Sequence, residues 1–105
     1  DDQKWPERVK KIYNDLCNDL GLNPKDVPLL AGELKHQEQG GVCWLFNVDI
    51  LPNLPKTLPN SYIISSKDCE STGDQFHFST EGMRTLGYRY AEQMLKLHKY
   101  KRATH

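Results

Sequence analysis

Val27-Pro28-Leu29-Leu30-Ala31-Gly32 is an unbroken apolar run set between the polar turn Asn23-Pro24-Lys25-Asp26 and the polar stretch 33–41, which ends in Gly40-Gly41. A short run without alternation reads as a strand buried on both faces, the kind found in parallel sheets. Downstream, Ser61-Tyr62-Ile63-Ile64-Ser65-Ser66 is rich in aromatic and β-branched residues and reads as a second strand. Helical signals flank and separate the two. Val9, Ile12, Tyr13, Leu16, Cys17 and Leu20 recur at i, i+3, i+4, i+7, i+8 and i+11, the stripe of an amphipathic helix over 6–20. Pro6 suits its first turn and Gly21 a left-handed stop, and Trp5 is expected to pack back against it. Residues 42–51 are densely apolar with poor alternation and read as a short buried helix; Pro52, Pro55 and Pro59 then punctuate a connector. Ser79-Thr80-Glu81, a hydroxyl cap with an acid in the first turn, opens the last helix. Met83, Leu86, Gly87, Tyr90, Ala91, Met94 and Leu95 mark its stripe, with Gly87 suited to close packing against a sheet. The polar tail 99–105 is expected to fray.

Helix, strand, helix, strand, helix is the order of an α/β layer fold with parallel strands. Two parallel strands alone would leave open edges and an uncovered flank. Further strands are therefore expected, from another polypeptide or from the rest of a larger domain of which this is the carboxy-terminal part. Composition points the same way. Only 37% of the 105 residues are hydrophobic and the mean hydropathy is −0.73, a thin supply of apolar surface to set against the entropy of folding. The chain opens Asp1-Asp2-Gln3-Lys4 without an initiator Met, as expected after processing, truncation or excision.

Fourteen Lys+Arg balance fourteen Asp+Glu. This argues against nucleic acid as a partner, which calls for a basic excess, and against a polybasic membrane anchor. No apolar run approaches the roughly 20 residues that span a bilayer. The three cysteines, Cys17, Cys43 and Cys69, include no Cys-x-x-Cys, so they fit one disulfide plus a thiol or three thiols and do not fix the compartment. His36, His77, His98 and His105 are scattered without metal-ligand spacing, and no metal or organic cofactor is expected.

Functional groups of open α/β sheets gather at the carboxyl ends of the strands, here in the loop beginning Gly32-Glu33 and in the loop 67–78. The second loop holds Asp74 and His77, three residues apart. A carboxylate at that spacing can fix the tautomer of an imidazole and stabilise the imidazolium formed when it acts as base. The spacing equally fits an Asp that caps a turn beside a packed His. No serine lies in a Gly-x-Ser-x-Gly elbow, Ser79 reads as a cap, and no cysteine has a partner base in sequence. Tyr88, Tyr90, Trp5 and Trp44 could build a sugar platform, although Tyr90 also fits the core.

Gly73-Asp74-Gln75-Phe76-His77-Phe78-Ser79 and Leu86-Gly87-Tyr88-Arg89-Tyr90-Ala91 resemble the last block of the SGNH hydrolases. They are most similar to the carbohydrate esterases related to sialate O-acetylesterase and acetylxylan esterase. Trp5-Pro6, Val27 to Glu33, Gln39-Gly40-Gly41, Asn47, Pro59-Asn60 and Ile64-Ser65-Ser66 extend the likeness over about 5–97. The resemblance implies a three-layer, flavodoxin-like SGNH fold, incomplete on its own, with residues 1–105 as the carboxy-terminal portion of a single esterase domain. It implies deacetylation of a polysaccharide or of sialic acid, with His77 as base and Asp74 orienting it. Glu33 and Gln39 are candidates for shaping the substrate pocket, Asn47 a weaker one. The family's nucleophilic Ser block has no counterpart here, which implies an amino-terminal segment or second chain as partner. A Cys43–Cys69 disulfide and a secreted or periplasmic setting follow from the same resemblance. The rival reading is a non-catalytic module that binds carbohydrate or a partner.

Overall fold

The computed structural model describes residues 2–74 and 76–103, without the side chains of residue 2 and of residues 99–103. Helix α1 spans Trp5–Leu20 and strand β1 Leu29–Gly32; α2 is the short Leu54–Thr57, β2 is Ser61–Ile64, and α3 is Thr80–Ala103. The two strands pair in parallel with Leu29 opposite Ser61 and Gly32 opposite Ile64. Each is shorter than its apolar run. Tyr13 Oη donates to the Val27 carbonyl, Pro28 has no N–H to pair, and the Ser66 N–H turns to the Glu33 carboxylate.

Alternation along these short strands feeds two cores. Leu29, Ala31 and Ile63 face one side, against Tyr13 and Cys17 of α1 and Leu51, Leu54 and Leu58. Leu30 and Ile64 face the other, against Cys69 and against Leu86 and Tyr90 of α3. The result is a helix–sheet–helix sandwich, the α/β layering read from the sequence. Helix α1 starts at Trp5, which packs against the cluster containing Tyr13 and Cys17 of α1 and whose ring meets Phe46 edge-on at 4.8 Å and 82°. Gly21 ends α1 in the left-handed region, at φ 67°.

The region expected to be a short buried helix over 42–51 is neither regular nor fully buried. Phe46–Ile50 is a π-turn, with the Leu51 N–H reaching the Phe46 carbonyl, and Leu51–Asn53 is a 3₁₀ turn. Pro52 cannot donate a helical hydrogen bond and crowds the preceding turn. Ile50 and Leu51 are buried, whereas Val42, Leu45 and Val48 are exposed. The last helix also departs from expectation. Leu86 is buried, but Met83, Met94 and Leu95 face outward, and nothing lies within 4 Å of where a Gly87 side chain would be. Close approach falls instead at Gly82, where an added Cβ would sit 2.0 Å from the Glu70 carbonyl oxygen. Backbone helix continues to Ala103 through most of the tail expected to fray, and Thr104 and His105 lie outside the described residues. The proposed Cys43–Cys69 disulfide is absent: all three cysteines are free, Cys43 exposed and Cys69 buried in the α3 core.

Candidate active site

Residues 70–74 fold back against 76–79 before α3. Ser71 and Phe78 form an antiparallel bridge, the Ser79 N–H donates to the Glu70 carbonyl at 3.0 Å, and the Thr72 N–H to the His77 carbonyl at 3.4 Å. Gly73 turns the tip at φ 95°, a conformation that favours glycine. Ser79 closes the stem and caps α3, its Oγ accepting from the Gly82 N–H at 3.1 Å, as the sequence indicates. On the other side of the stem, Arg89 of α3 donates from Nη1 to the carbonyls of Ser65 at 2.8 Å and Lys67 at 2.7 Å. It thereby ties the loop leaving β2 to the helix.

At the exposed tip, Asp74 both caps a turn and reaches the imidazole, whereas the packed His77 of the alternative reading is not found. Asp74 Oδ1 accepts from the N–H groups of Phe76 and His77, both at 2.7 Å, so the aspartate does cap a turn. Its other oxygen, Oδ2, lies 2.8 Å from His77 Nδ1. The imidazole is not packed: its side chain is 75% exposed. With Nδ1 as donor to Asp74, the neutral ring carries its lone pair on Nε2. No described contact engages that atom. Gln75, inside the motif, lies outside the described residues.

The His77 N–H, then the Phe76 N–H, then the His77 ring hold the Asp74 carboxyl far below the usual carboxylate range. Its folded value being depressed, ionised Asp74 stabilises the tip above its unfolded value of about 3.9. That contribution is lost as the pH falls from there through the lowered native value. The protection factors of the Phe76 and His77 amides, each taken against the intrinsic exchange rate at the same pH, are accordingly expected to hold down to about pH 4 and to fall in stronger acid. A fall already between neutral pH and mild acidity would place the tip's stability elsewhere.

The Gln39 amide and one carboxylate oxygen of Glu33 are occupied in holding loops together. Glu33 Oε1 accepts from the Ser66 N–H at 2.9 Å and meets His36 Nε2 at 2.8 Å. Gln39 donates to the carbonyls of Ser66 at 2.8 Å and Cys69 at 3.0 Å and accepts from the His36 N–H at 2.6 Å. Asn47 brackets the Leu34 peptide, accepting from its N–H at 2.8 Å and donating to its carbonyl at 2.7 Å. Glu33 also borders a cleft of about 280 Å³ with His36, Glu38, Trp44 and Asn47, which Gln39, Asp74 and His77 do not line.

The aromatic residues do not assemble into a platform: Trp5 packs on Phe46, Tyr90 sits in the α3 core and Trp44 lines the cleft. Burial pushes the Cys69 thiol up, opposite to an activated nucleophile. Sequence reasoning missed Lys35, whose ammonium donates to the Asp74 carbonyl. Nothing in its local sequence marks it, since it stands in a polar loop where a lysine reads as solvated.

No solved structure matches the chain. A family model described as carbohydrate esterase, sialic acid-specific acetylesterase, matches residues 1–96. That span takes in both strands, the hairpin and most of α3, so the chain belongs to the carbohydrate esterase family of sialic acid-specific acetylesterases.

Proposed function

We propose that this chain supplies the acid–base half of a Ser-His-Asp esterase of the SGNH type, acting on acetyl esters of sialic acid or of a polysaccharide such as xylan. The observation that carries the reading is the Asp74 Oδ2–His77 Nδ1 contact at 2.8 Å, with Nε2 left free on an exposed ring. A serine presented to Nε2 would lose its Oγ proton to the ring as the oxygen attacks the acetyl carbonyl. Asp74, ionised at working pH, stabilises the resulting imidazolium and fixes the tautomer. The imidazolium then protonates the departing sugar oxygen. A water, deprotonated by the same Nε2, cleaves the acetyl-serine to acetate.

The serine belongs to an amino-terminal segment or second chain of the same esterase domain, of which residues 1–105 are the carboxy-terminal portion. Two features support this partner. Ile12, Leu16 and Leu20 form an exposed apolar stripe on α1 at 60%, 55% and 67%. Each strand also pairs along one edge only among the described residues. The acetylated-sugar substrate is the remaining ground for a secreted or periplasmic setting, since the cysteines are free.

Hydrolysis of p-nitrophenyl acetate by this chain, by the amino-terminal segment and by their mixture tests the proposal. Activity confined to the mixture is expected. No activity in the mixture, with acetylated sugar still bound, would favour a non-catalytic binding module.

A further inference from the structure

We propose that Lys35 is the positioning residue for the Asp74–His77 pair, an inference that rests on the esterase reading and deepens it. Lys35 is 2% exposed, and its ammonium donates to the Asp74 carbonyl oxygen. An ammonium removed from water is costly unless an acceptor meets it, so the Asp74 carbonyl is a strongly preferred place for it. The other described hydrogen bonds of residues 73–77 come from within 71–77: Ser71 and Thr72 hold Gly73 and Asp74, and Asp74 holds Phe76 and His77. Among the described residues, Lys35 therefore makes the one hydrogen bond that ties the exposed tip to the body of the fold.

The post that carries the ammonium is itself fixed on both sides. Before it, Asn47 grips both polar atoms of the Leu34 peptide, and Ser66 Oγ donates to the same Leu34 carbonyl at 2.7 Å. After it, the Gln39 side chain accepts from the His36 N–H, and the Gly41 N–H donates to the His36 carbonyl at 3.1 Å. Gly41 folds over the residue so closely that an added Cβ would lie 2.5 Å from the Lys35 carbonyl oxygen and 2.6 Å from its Cβ. In this proposal Gln39 and Asn47 serve the pair at one remove, as the frame of this post. None of these bonds uses the lysine side chain, so the loop is expected to survive its replacement.

The readout is the His77 tautomer, which a merely space-filling side chain would not move. In the ¹⁵N-labelled full chain, long-range ¹H–¹⁵N correlations are expected to show neutral His77 protonated mainly at Nδ1. In Lys35→Met, which keeps the buried stem and removes the donor, the Nδ1–H form is expected to fall toward the mixture of a free imidazole, at a melting temperature close to wild type. An unchanged tautomer in folded Lys35→Met overturns the positioning role alone. A wild-type ring already in the free-imidazole mixture overturns the pair itself and the positioning role with it. Should Lys35→Met fail to fold, the wild-type Lys35 ammonium decides. Protons protected from exchange, with ¹⁵N coupled to the Asp74 carbonyl, support the role; protons exchanging like those of a surface lysine overturn it.

Discussion

His77→Ala in the completed esterase is expected to lower kcat by about 10⁴-fold or more while KM stays near wild type. Two facts set the size and the selectivity of the effect. The ring sits at an exposed tip with Nδ1 engaged and Nε2 without a described partner, and in the proposed role it moves a proton in the transition state rather than holding ground-state substrate. It also packs little: at 75% exposure the side chain supports no core, and its removal is expected to change stability by no more than about 0.5 kcal/mol. Asp74→Asn should show a loss of similar order by leaving the ring in the wrong tautomer. Steady-state kinetics with matched melting curves checks both. A ten-fold loss or less, or a loss confined to KM, would contradict a base at residue 77.

Leu54→Ala is expected to destabilise the chain by about 2–5 kcal/mol. Leu54 is 0% exposed and is packed with Tyr13, Cys17, Leu51 and Leu58. It opens α2 directly after the π and 3₁₀ turns. Irregular backbone there has few regular hydrogen bonds to hold it, so the side chains at its inner face fix its position between α1 and the sheet. Domains of this size hold only about 5–15 kcal/mol in total, and a loss in the stated range would shift the urea midpoint plainly. A change under about 1 kcal/mol would mean that the cavity collapses, and that the α1 core is looser than its burial indicates.

What the sequence discloses and what it conceals divide along the range of the interactions. The stripe of α1, the two apolar runs and the Ser79 cap are local signals, and the elements they mark are found with small shifts of their ends. The Asp74–His77 contact is legible for the same reason, since it spans one turn, whereas spacing alone left their roles open. The 42–51 region misleads because its apolar density belongs to two environments, with Ile50 and Leu51 inward and Leu45 and Val48 outward. The helix stripe overreaches at Met83, Met94 and Leu95, which periodicity assigns to a buried face and the fold leaves exposed. Glu33 and Gln39 were placed at the right end of the sheet, but their bonds run to Ser66 and Cys69, about thirty positions away. Lys35 is the extreme case. Its partner lies 39 residues along the chain, and a charged residue in a polar loop gives no sign that it will be buried.

Labelling of the completed enzyme with a fluorophosphonate, which traps only a serine activated by a neighbouring base, tests most directly the proposal that His77 activates a serine supplied from outside residues 1–105. Mass spectrometry is expected to find one labelled serine outside residues 1–105 in the wild type, and none in His77→Ala. Label on Ser61, Ser65, Ser66, Ser71 or Ser79, or label that persists without His77, would contradict it.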